Sequence, residues 1–188
     1  VSQGKIKSAS VEGHPFIYKK ITEGQIKNSD KTLPEIESDV PRAILYLFSH
    51  LSPSYQLSVT KSAEPYLIEN SFSNRVISYY DKASISLTGT TFRGNIIIAS
   101  AGTITIDNSA KLKNVILLAR RIDIMEGFSG SFQGFALESI NVEKNVYLKY
   151  PSVLGLFQDV DSKLPGSKLS ITVAENSIVS GGIIVNTN

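Results

Sequence analysis

The chain has 188 residues, enough for one domain with a substantial core, or for one domain and a small appendage. Its 19 basic and 17 acidic residues leave a net charge of +2, which gives no argument for nucleic acid or a strongly acidic partner. The absence of cysteine excludes disulfides, thiolate metal sites and a cysteine nucleophile.

The chain offers no membrane-spanning or targeting pattern. No apolar run approaches the roughly 18 residues needed to cross a bilayer, so we predict no transmembrane segment in this chain. Because the first residue is Val1 rather than Met, we interpret the chain as processed or truncated. This interpretation leaves room for an export signal or anchor that has been removed.

Residues 1–33 form the first predicted segment, in which residues 4–8 (GKIKS) recur as residues 24–28 (GQIKN). Between these copies, residues 16–18 (FIY) form a short apolar run that suits a strand. We predict either two early coils or a small β segment that leads into the main repeat. The segment is rich in lysine, which we interpret as a solvated edge rather than as a contact for anionic lipid or glycan.

Residues 34–54 interrupt the β pattern and predict a helical excursion. Asp39 can cap a helix, Pro41 suits its first position, and residues 43–51 supply an apolar run of helical length. We predict a helix from Pro41 to about His50. Because apolar residues occupy more than one of its faces, we expect it to be buried, either as a cap on an open end of the β-structure or against its flank.

Residues 55–188 are predicted to form the main domain, within which residues 66–139 repeat every twenty residues. Three sets of residues recur at this spacing: Phe72, Phe92, Leu112 and Phe132; Val76, Ile96, Ile116 and Ala136; and Ile77, Ile97, Leu117 and Leu137. A fixed period near twenty with strand-like apolar runs is typical of a solenoid built from coils of parallel strands. Stacking of the coils would put the set that starts at Phe72 in one interior column.

Each coil is predicted to carry two apolar strands. One is a short alternating pair that recurs as Ile85/Leu87, Ile104/Ile106, Ile122/Ile124, Ile140/Val142 and Ile171/Val173. The other is a longer apolar run, as in residues 96–98, 115–118 and 135–137. The corners between them are predicted to use left-handed backbone conformations at Gly94, Asn114, Gly134 and Gly181.

The spacing between strands excludes the competing folds. An α/β protein needs helical connections that do not fit here, and a sandwich predicts no regular register of like residues. We therefore predict an all-β fold, a right-handed single-stranded parallel β-helix of about 20 residues per coil, with one short α-helix at residues 41–50.

The last third of the chain departs from the repeat. Residues 157–168 are predicted to be an inserted loop, and insertions in solenoids often shape a binding face. The coil resumes at Leu169 and reaches the apolar residues 183–185 with no cap after them. We expect either that the native protein continues or that this end pairs with a partner.

Candidate catalytic acids lie near the short strands. The outward positions form a polar column of Ser86, Thr105, Asp123, Asn141 and Thr172. A second column contains Asp107 and Glu143, and two arginines, Arg120 and Arg121, precede Asp123. Acids beside arginines could perform acid–base glycoside chemistry, as in the β-helix enzymes that degrade pectin. A column made mostly of Ser, Thr and Asn is more typical of a solvated ladder, so catalysis by Asp107, Asp123 and Glu143 is the alternative hypothesis.

Other residues give no argument for a cofactor or a metal ion. His14 and His50 have no partner at ligand spacing. Asp159 and Asp161 could hold calcium, but two acids without a Gly-Asp repeat do not predict a site. The sequence contains no phosphate-binding glycine loop, nucleophile elbow or nucleotide fingerprint. Four tyrosines could stack on sugars or bases, but we interpret them as ordinary strand residues: Tyr79, Tyr80, Tyr147 and Tyr150.

Several segments together resemble one protein family: residues 68–72 (IENSF), 92–100 (FRGNIIIAS), 112–124 (LKNVILLARRIDI), 130–146 (GSFQGFALESINVEKNV) and 148–156 (LKYPSVLGL), with residues 24–34 (GQIKNSDKTLP) upstream. They are similar to uncharacterised envelope proteins of the Bacteroides group of bacteria, whose longer members begin with a pilin-like anchor. The resemblance implies an exported β-helix that faces the periplasm or the cell surface, and it supplies no catalytic residues. A more distant likeness to the bactofilins, which are polymerising β-helix scaffolds, rests on the coil pattern.

Two hypotheses of function result. The first is a non-enzymatic structural or binding module of the cell envelope, which displays a surface or stacks with protein partners or copies of itself through its ends. The second is a carbohydrate-active enzyme of the polysaccharide lyase or hydrolase type. A glycan is a possible partner in both, and we predict no nucleic acid partner.

Overall fold

The computed structural model describes residues 10–11, 14–15, 39–50, 66–157 and 169–186. The chain divides into two compact units, Val1–Glu37 and Ser38–Asn188. In the first unit, β1 (Ser10–Val11) pairs with β2 (His14–Pro15) in the antiparallel sense. The strand predicted at residues 16–18, the repeat of residues 4–8 and 24–28 and the loop at residues 157–168 lie almost wholly outside the described residues.

Among its described residues, the second unit contains one helix, α1 (Asp39–His50), which begins two residues before the predicted start. The acidic side chain of Asp39 lies in its first turn, where the helix dipole favours a negative charge. The unit also contains ten strands: β3 (Tyr66–Asn70), β4 (Ile77–Asp81), β5 (Ile85–Leu87), β6 (Thr90–Gly94), β7 (Ile96–Ile106), β8 (Lys111–Ile124), β9 (Ser129–Val142), β10 (Tyr147–Phe157), β11 (Ser170–Val173) and β12 (Ile178–Asn186).

These ten strands form one sheet in which every pairing between described strands is parallel. The main path runs β12-β10-β9-β8-β6-β3; β7 pairs with β4, β5 and β8, and β11 pairs with β9. The described part of the chain is therefore mostly β-structure with one short helix, which confirms the all-β prediction at this level.

The short alternating strands pair as the sequence predicted. Ile85 lies opposite Ile104, Ile104 opposite Ile122 and Ile122 opposite Ile140. Ile140 in turn lies opposite Ile171, although the residues at 158–168 intervene in the chain. The alternation explains this agreement, because a slip of one residue would move every apolar side chain of the strand to the solvent face.

The predicted interior column at twenty-residue spacing is wrong in two of its four positions. Phe92 lies opposite Leu112 as predicted, but Phe132 lies opposite Val115. Phe72 lies in a turn, with 68% of its surface exposed.

The displacement of Phe132 from the column is caused by a β-bulge at Asn114. The pairing of β8 with β9 shifts register between Lys113 and Val115, so that Asn114 is an extra residue. The long apolar runs also pair at offsets shorter than twenty, as where Ile97 lies opposite Ile116. The twenty-residue recurrence therefore coincides with the register between β6 and β8, but not between β7 and β8 or between β8 and β9.

The predicted corner residues divide into two kinds. Gly94 and Asn114 adopt left-handed conformations, with φ of 91° and 57°, as predicted. Gly134 and Gly181 do not, and glycine is required there by close packing instead. A Cβ on Gly134 would lie 2.8 Å from Cε2 of Phe132, and one on Gly181 would collide with the carbonyl oxygen of Ser152.

Apolar side chains pack in two clusters on opposite faces of the strands. Along β7, Ile96 and Ile98 belong to the first core, whereas the alternate residues Ile97 and Ala99 belong to the second core. Both faces of this run are thus buried, which explains why its sequence is continuously apolar.

Helix α1 covers the second core. Ile44 is 6% exposed and packs in this cluster, and Leu45, Leu47 and Phe48 lie around it partly buried. The opposite side of the helix is open, since 62% of the Tyr46 surface is exposed. Of the two predicted placements, packing against the flank is the one observed.

Candidate functional site

The predicted polar column is present on the short strands. Backbone pairing places five residues in line: Ser86, Thr105, Asp123, Asn141 and Thr172. The hydroxyl of Thr172 donates a hydrogen bond of 2.7 Å to Oδ1 of Asn141. We call this row the polar ladder, and its members alternate with the buried isoleucines of the same strands.

The second predicted column begins where these strands end. The amide of Asp107 donates to the carbonyl of Leu87 at 3.1 Å, and the amide of Glu143 donates to that of Ile124 at 2.9 Å. Met125 lies between the two acids in the same way. Asp107 and Glu143 are therefore two strand spacings apart, about 10 Å along the stacking direction.

The carboxylate of Asp107 accepts hydrogen bonds from within the turn that it begins. It accepts hydrogen bonds from the Ser109 amide at 2.9 Å and from the Ser109 hydroxyl at 2.5 Å. These two bonds hold the pKa of Asp107 below its ordinary value. A carboxylate in this position stays ionised and caps the turn, which does not suit a general acid.

The carboxylate of Glu143 joins two neighbouring turns. Its Oε2 accepts a hydrogen bond of 2.9 Å from the amide of Glu126, and Oε1 of Glu126 accepts one of 3.0 Å from the side chain of Asn145. Neither acid of the second column is thus free of a structural contact.

Asp123 differs from the other two acids because it is half-buried in the polar ladder. Burial raises the pKa of Asp123, the charge of Arg121 opposes this rise, and the charge of Glu143 adds to it. The structure thus brings Asp123 within electrostatic reach of Glu143. Among the predicted acids, Asp123 is the one whose environment favours its protonated form.

The two arginines are held by an acid that the sequence analysis did not single out. Nη2 of Arg120 lies 2.6 Å from Oε1 of Glu138, and Nε of Arg121 lies 2.8 Å from Oε2. Burial opposes the ionisation of Glu138, but the hydrogen bonds and charges of Arg121 and Arg120 outweigh it and lower its pKa. The register could have revealed this contact, because Ala136 pairs with Ala119 just before the acid and the arginines.

The remaining sequence candidates show no site in the described residues. Within them, no three His, Cys, Asp or Glu side chains are grouped so as to hold a metal ion, and Asp159 and Asp161 lie outside them. His14 lies in β2. The ring of His50 stacks on that of Tyr46 with centroids 4.1 Å apart, which is a contact within α1.

The four tyrosines occupy three different environments. Tyr79 is buried in the first core, edge-on to Phe92 with ring centroids 6.0 Å apart. Tyr80 is half-buried against the second core. Tyr147 and Tyr150 are exposed by 44% and 81%.

Strand β12 forms an apolar edge of the sheet. Among the described strands, β10 is the one with which it pairs. Three of its side chains are more than half exposed, namely Ile178 at 57%, Ile183 at 51% and Val185 at 54%. Apolar side chains beside unpaired backbone groups are suited to the addition of another strand.

The described residues include no helix of the length and apolar character required to span a bilayer. Comparison with known proteins yielded no match of the chain to a family model, to a curated protein or to a solved structure.

Proposed function

We propose that the ten-stranded sheet is a right-handed parallel β-helix and that the protein is a non-enzymatic structural or binding module of the bacterial cell envelope. The β-helix is supported by strands that each pair in parallel with a strand one repeat away. It is also supported by the 14 residues of β8, well beyond the usual five or six, and by its register shift between Ala119 and Arg121, where such a strand would bend. The right hand follows from the general preference of parallel crossovers.

One observation supports the non-enzymatic role: two of the candidate acids, Asp107 and Glu143, already accept structural hydrogen bonds. Asp107 caps the turn at Ser109, Glu143 accepts from the amide of Glu126, and both arginines bind Glu138. General acid–base catalysis needs carboxyl groups that can contact a substrate, and these hydrogen bonds compete with such a contact. The envelope location rests on the family resemblance of the sequence, and recovery of the protein only from the cytosol would contradict it.

A screen for glycan cleavage tests the non-enzymatic role. We expect the protein to release neither reducing ends nor unsaturated products from anionic or neutral polysaccharides. The isosteric triple variant Asp107→Asn, Asp123→Asn, Glu143→Gln should behave identically, and Glu175→Gln serves as an exposed control. Cleavage by the original chain that the triple variant loses would establish the enzyme instead.

That alternative, a polysaccharide lyase or hydrolase, is favoured by one feature of Asp123. Its pKa is raised by burial, and the charge of Glu143 adds to the rise. A carboxyl group with a raised pKa near a second carboxyl group is the arrangement that glycosidases use. The triple variant removes both groups, so the same screen decides between the two functions.

Stacking through β12 is the mode of association that we propose for the module. The exposed Ile183 and Val185 would be covered by a further coil, from a partner or a second copy. Sedimentation velocity over a range of concentrations should reveal self-association that Ile183→Lys with Val185→Lys abolishes. Val76→Lys changes an exposed apolar residue elsewhere and should have no effect. A monomer at all concentrations would contradict self-stacking.

A further inference from the structure

The outward side chains at the beginnings of β8 and β10 lie on one face of the sheet. Lys111 and Lys113 are exposed on either side of the buried Leu112. Tyr147 and Lys149 are likewise exposed on either side of the buried Leu148. Because side chains alternate along a strand, each exposed pair projects from the face opposite the first core.

The distance between the β8 lysines and the β10 residues follows from the register, because β8 and β10 both pair with β9. Lys113 lies opposite Ser131 of β9, and Ser129 of the same strand lies opposite Tyr147. The lysines of β8 are therefore two strand spacings, about 10 Å, from Tyr147 and Lys149. We call the surface formed by Lys111, Lys113, Tyr147 and Lys149 the basic-aromatic face.

The three lysines of this face have no ionic partner among the residues that the structure describes. Arg93, on the neighbouring strand β6, differs because Nη1 lies 2.9 Å from Oε1 of Glu69. The polar ladder and the column beside it carry acids instead. The three lysines lie near the beginnings of β8 and β10, whereas Asp107, Asp123 and Glu143 lie at or just after the ends of β7, β8 and β9.

The aromatic ring of the face, that of Tyr147, is open to solvent, and so is the ring of Tyr150, which follows Lys149 in the chain. Tyr147 is 44% exposed and Tyr150 is 81% exposed, the largest fraction among the exposed large apolar and aromatic side chains of the described chain. The exposed Ser129 lies beside Tyr147 and adds a hydroxyl group. Exposed tyrosine rings beside hydroxyls and unpaired ammonium groups are typical of surfaces that bind polar, ring-containing ligands.

We propose that the basic-aromatic face binds an acidic polysaccharide. Lysine ammonium groups attract carboxylates, tyrosine rings pack on the apolar faces of sugar rings, and a row of extended strands presents a flat surface to an extended chain. Nucleic acid fits less well, because the net charge is only +2 and the face offers three lysines to neutralise a densely charged phosphate backbone. This inference deepens the binding role proposed above and rests on it.

Affinity electrophoresis and calorimetry with polygalacturonate, with neutral dextran as reference, test the proposal. We expect binding to polygalacturonate that weakens with salt, and none to dextran. Lys111→Ala with Lys113→Ala should reduce the affinity about tenfold. The matched control is Arg75→Ala with Lys82→Ala, which removes two exposed charges from the turns on either side of β4 and should change the affinity less than twofold.

The aromatic contribution is tested separately. Tyr147→Ala should reduce the affinity about fivefold, whereas Tyr147→Phe should retain it, because stacking needs the ring and not the hydroxyl. Far-UV circular dichroism and melting of each variant establish that the fold is intact.

Four outcomes would overturn the inference: no binding to polygalacturonate, equal loss in the control variant, no effect of Tyr147→Ala, or equal binding of double-stranded DNA. None of these concerns the absence of catalysis. Conversely, cleavage of polygalacturonate by the original chain would overturn the non-enzymatic function and leave the binding face intact, so the two failures are distinguishable.

Discussion

The short strands and the long apolar runs of this sheet differ in how far their sequences specify register. In the short strands, residues such as Ile122 and Ile124 are buried and Asp123 between them is half-buried. In the long run of β7, Ile97 and Ile98 are both buried, one in each core. Alternation therefore marks a strand with one apolar face, whereas a continuous run marks a strand covered on both faces and leaves its register undetermined.

The largest expected effect comes from truncating a short-strand isoleucine. Ile122→Ala should lower the free energy of unfolding by about 4 kcal/mol, because Ile122 is fully buried between two other strands. Ile97→Ala should cost about 2 kcal/mol, since its neighbours in the second core include a single helix that can settle into the gap. Urea unfolding measures both. Equal losses would show that the two cores are equally constrained.

A polar substitution where α1 packs on the second core should affect that core more than the first core. Ile44→Ser should lower the free energy of unfolding by about 2 kcal/mol and increase the binding of a hydrophobic dye, because α1 would no longer cover the second core. Hydrogen exchange should rise around Ile97 and remain slow around Ile104. Tyr46→Ser, on the exposed side of α1, is the matched control. Faster exchange throughout the sheet would mean that α1 supports both regions.

A buried hydroxyl weakens the sheet at the start of β6. Thr90 is 2% exposed, and its Oγ1 has no hydrogen-bond partner among the described residues. Thr90→Val keeps the shape of the side chain and removes the unsatisfied group, so it should raise the free energy of unfolding by about 1 kcal/mol. Thr91→Val, at the half-exposed neighbour, should change it little. A loss of stability in Thr90→Val would indicate that the hydroxyl is satisfied in solution.

The smallest effects concern two acids with opposite pKa shifts. The pKa of Asp123 is raised by folding, so its charge opposes folding above its folded pKa and this penalty disappears as pH falls through that value. The pKa of Glu138 is lowered, so its stabilisation is present above its unfolded pKa and is lost as pH falls through its folded pKa.

Amide variants should reveal this difference in sign. At pH 7, Asp123→Asn should raise and Glu138→Gln should lower the free energy of unfolding, each by less than about 1 kcal/mol. Both differences should shrink as the pH falls through the acid range, as measured by urea unfolding at several pH values. Shifts of the same sign in the two variants would contradict the environments described for these acids.

The candidate acids illustrate what sequence reasoning could predict about the site. The columns of Asp107, Asp123 and Glu143 were predictable because they follow directly from the register of the short strands. The contacts of these acids were not, since Ser109 and Glu126 bind them through turn geometry that no spacing rule describes. The partner of the arginines, Glu138, was missed because the register shifts between Ala119 and Arg121: Arg121 pairs with Ser139, and Glu138 comes just before that residue.

From the sequence we could predict the all-β class, the helix near residues 41–50 and the register of the short strands. The register was predictable because alternating side chains permit one arrangement with a dry interior. The structure was needed to establish the register of the long runs, the packing of α1 on the second core and the bulge at Asn114. The physical reason is that hydrophobicity is not directional. An apolar side chain such as that of Ile97 gains similar free energy from burial in either core. The packing of the whole unit determines which core it occupies.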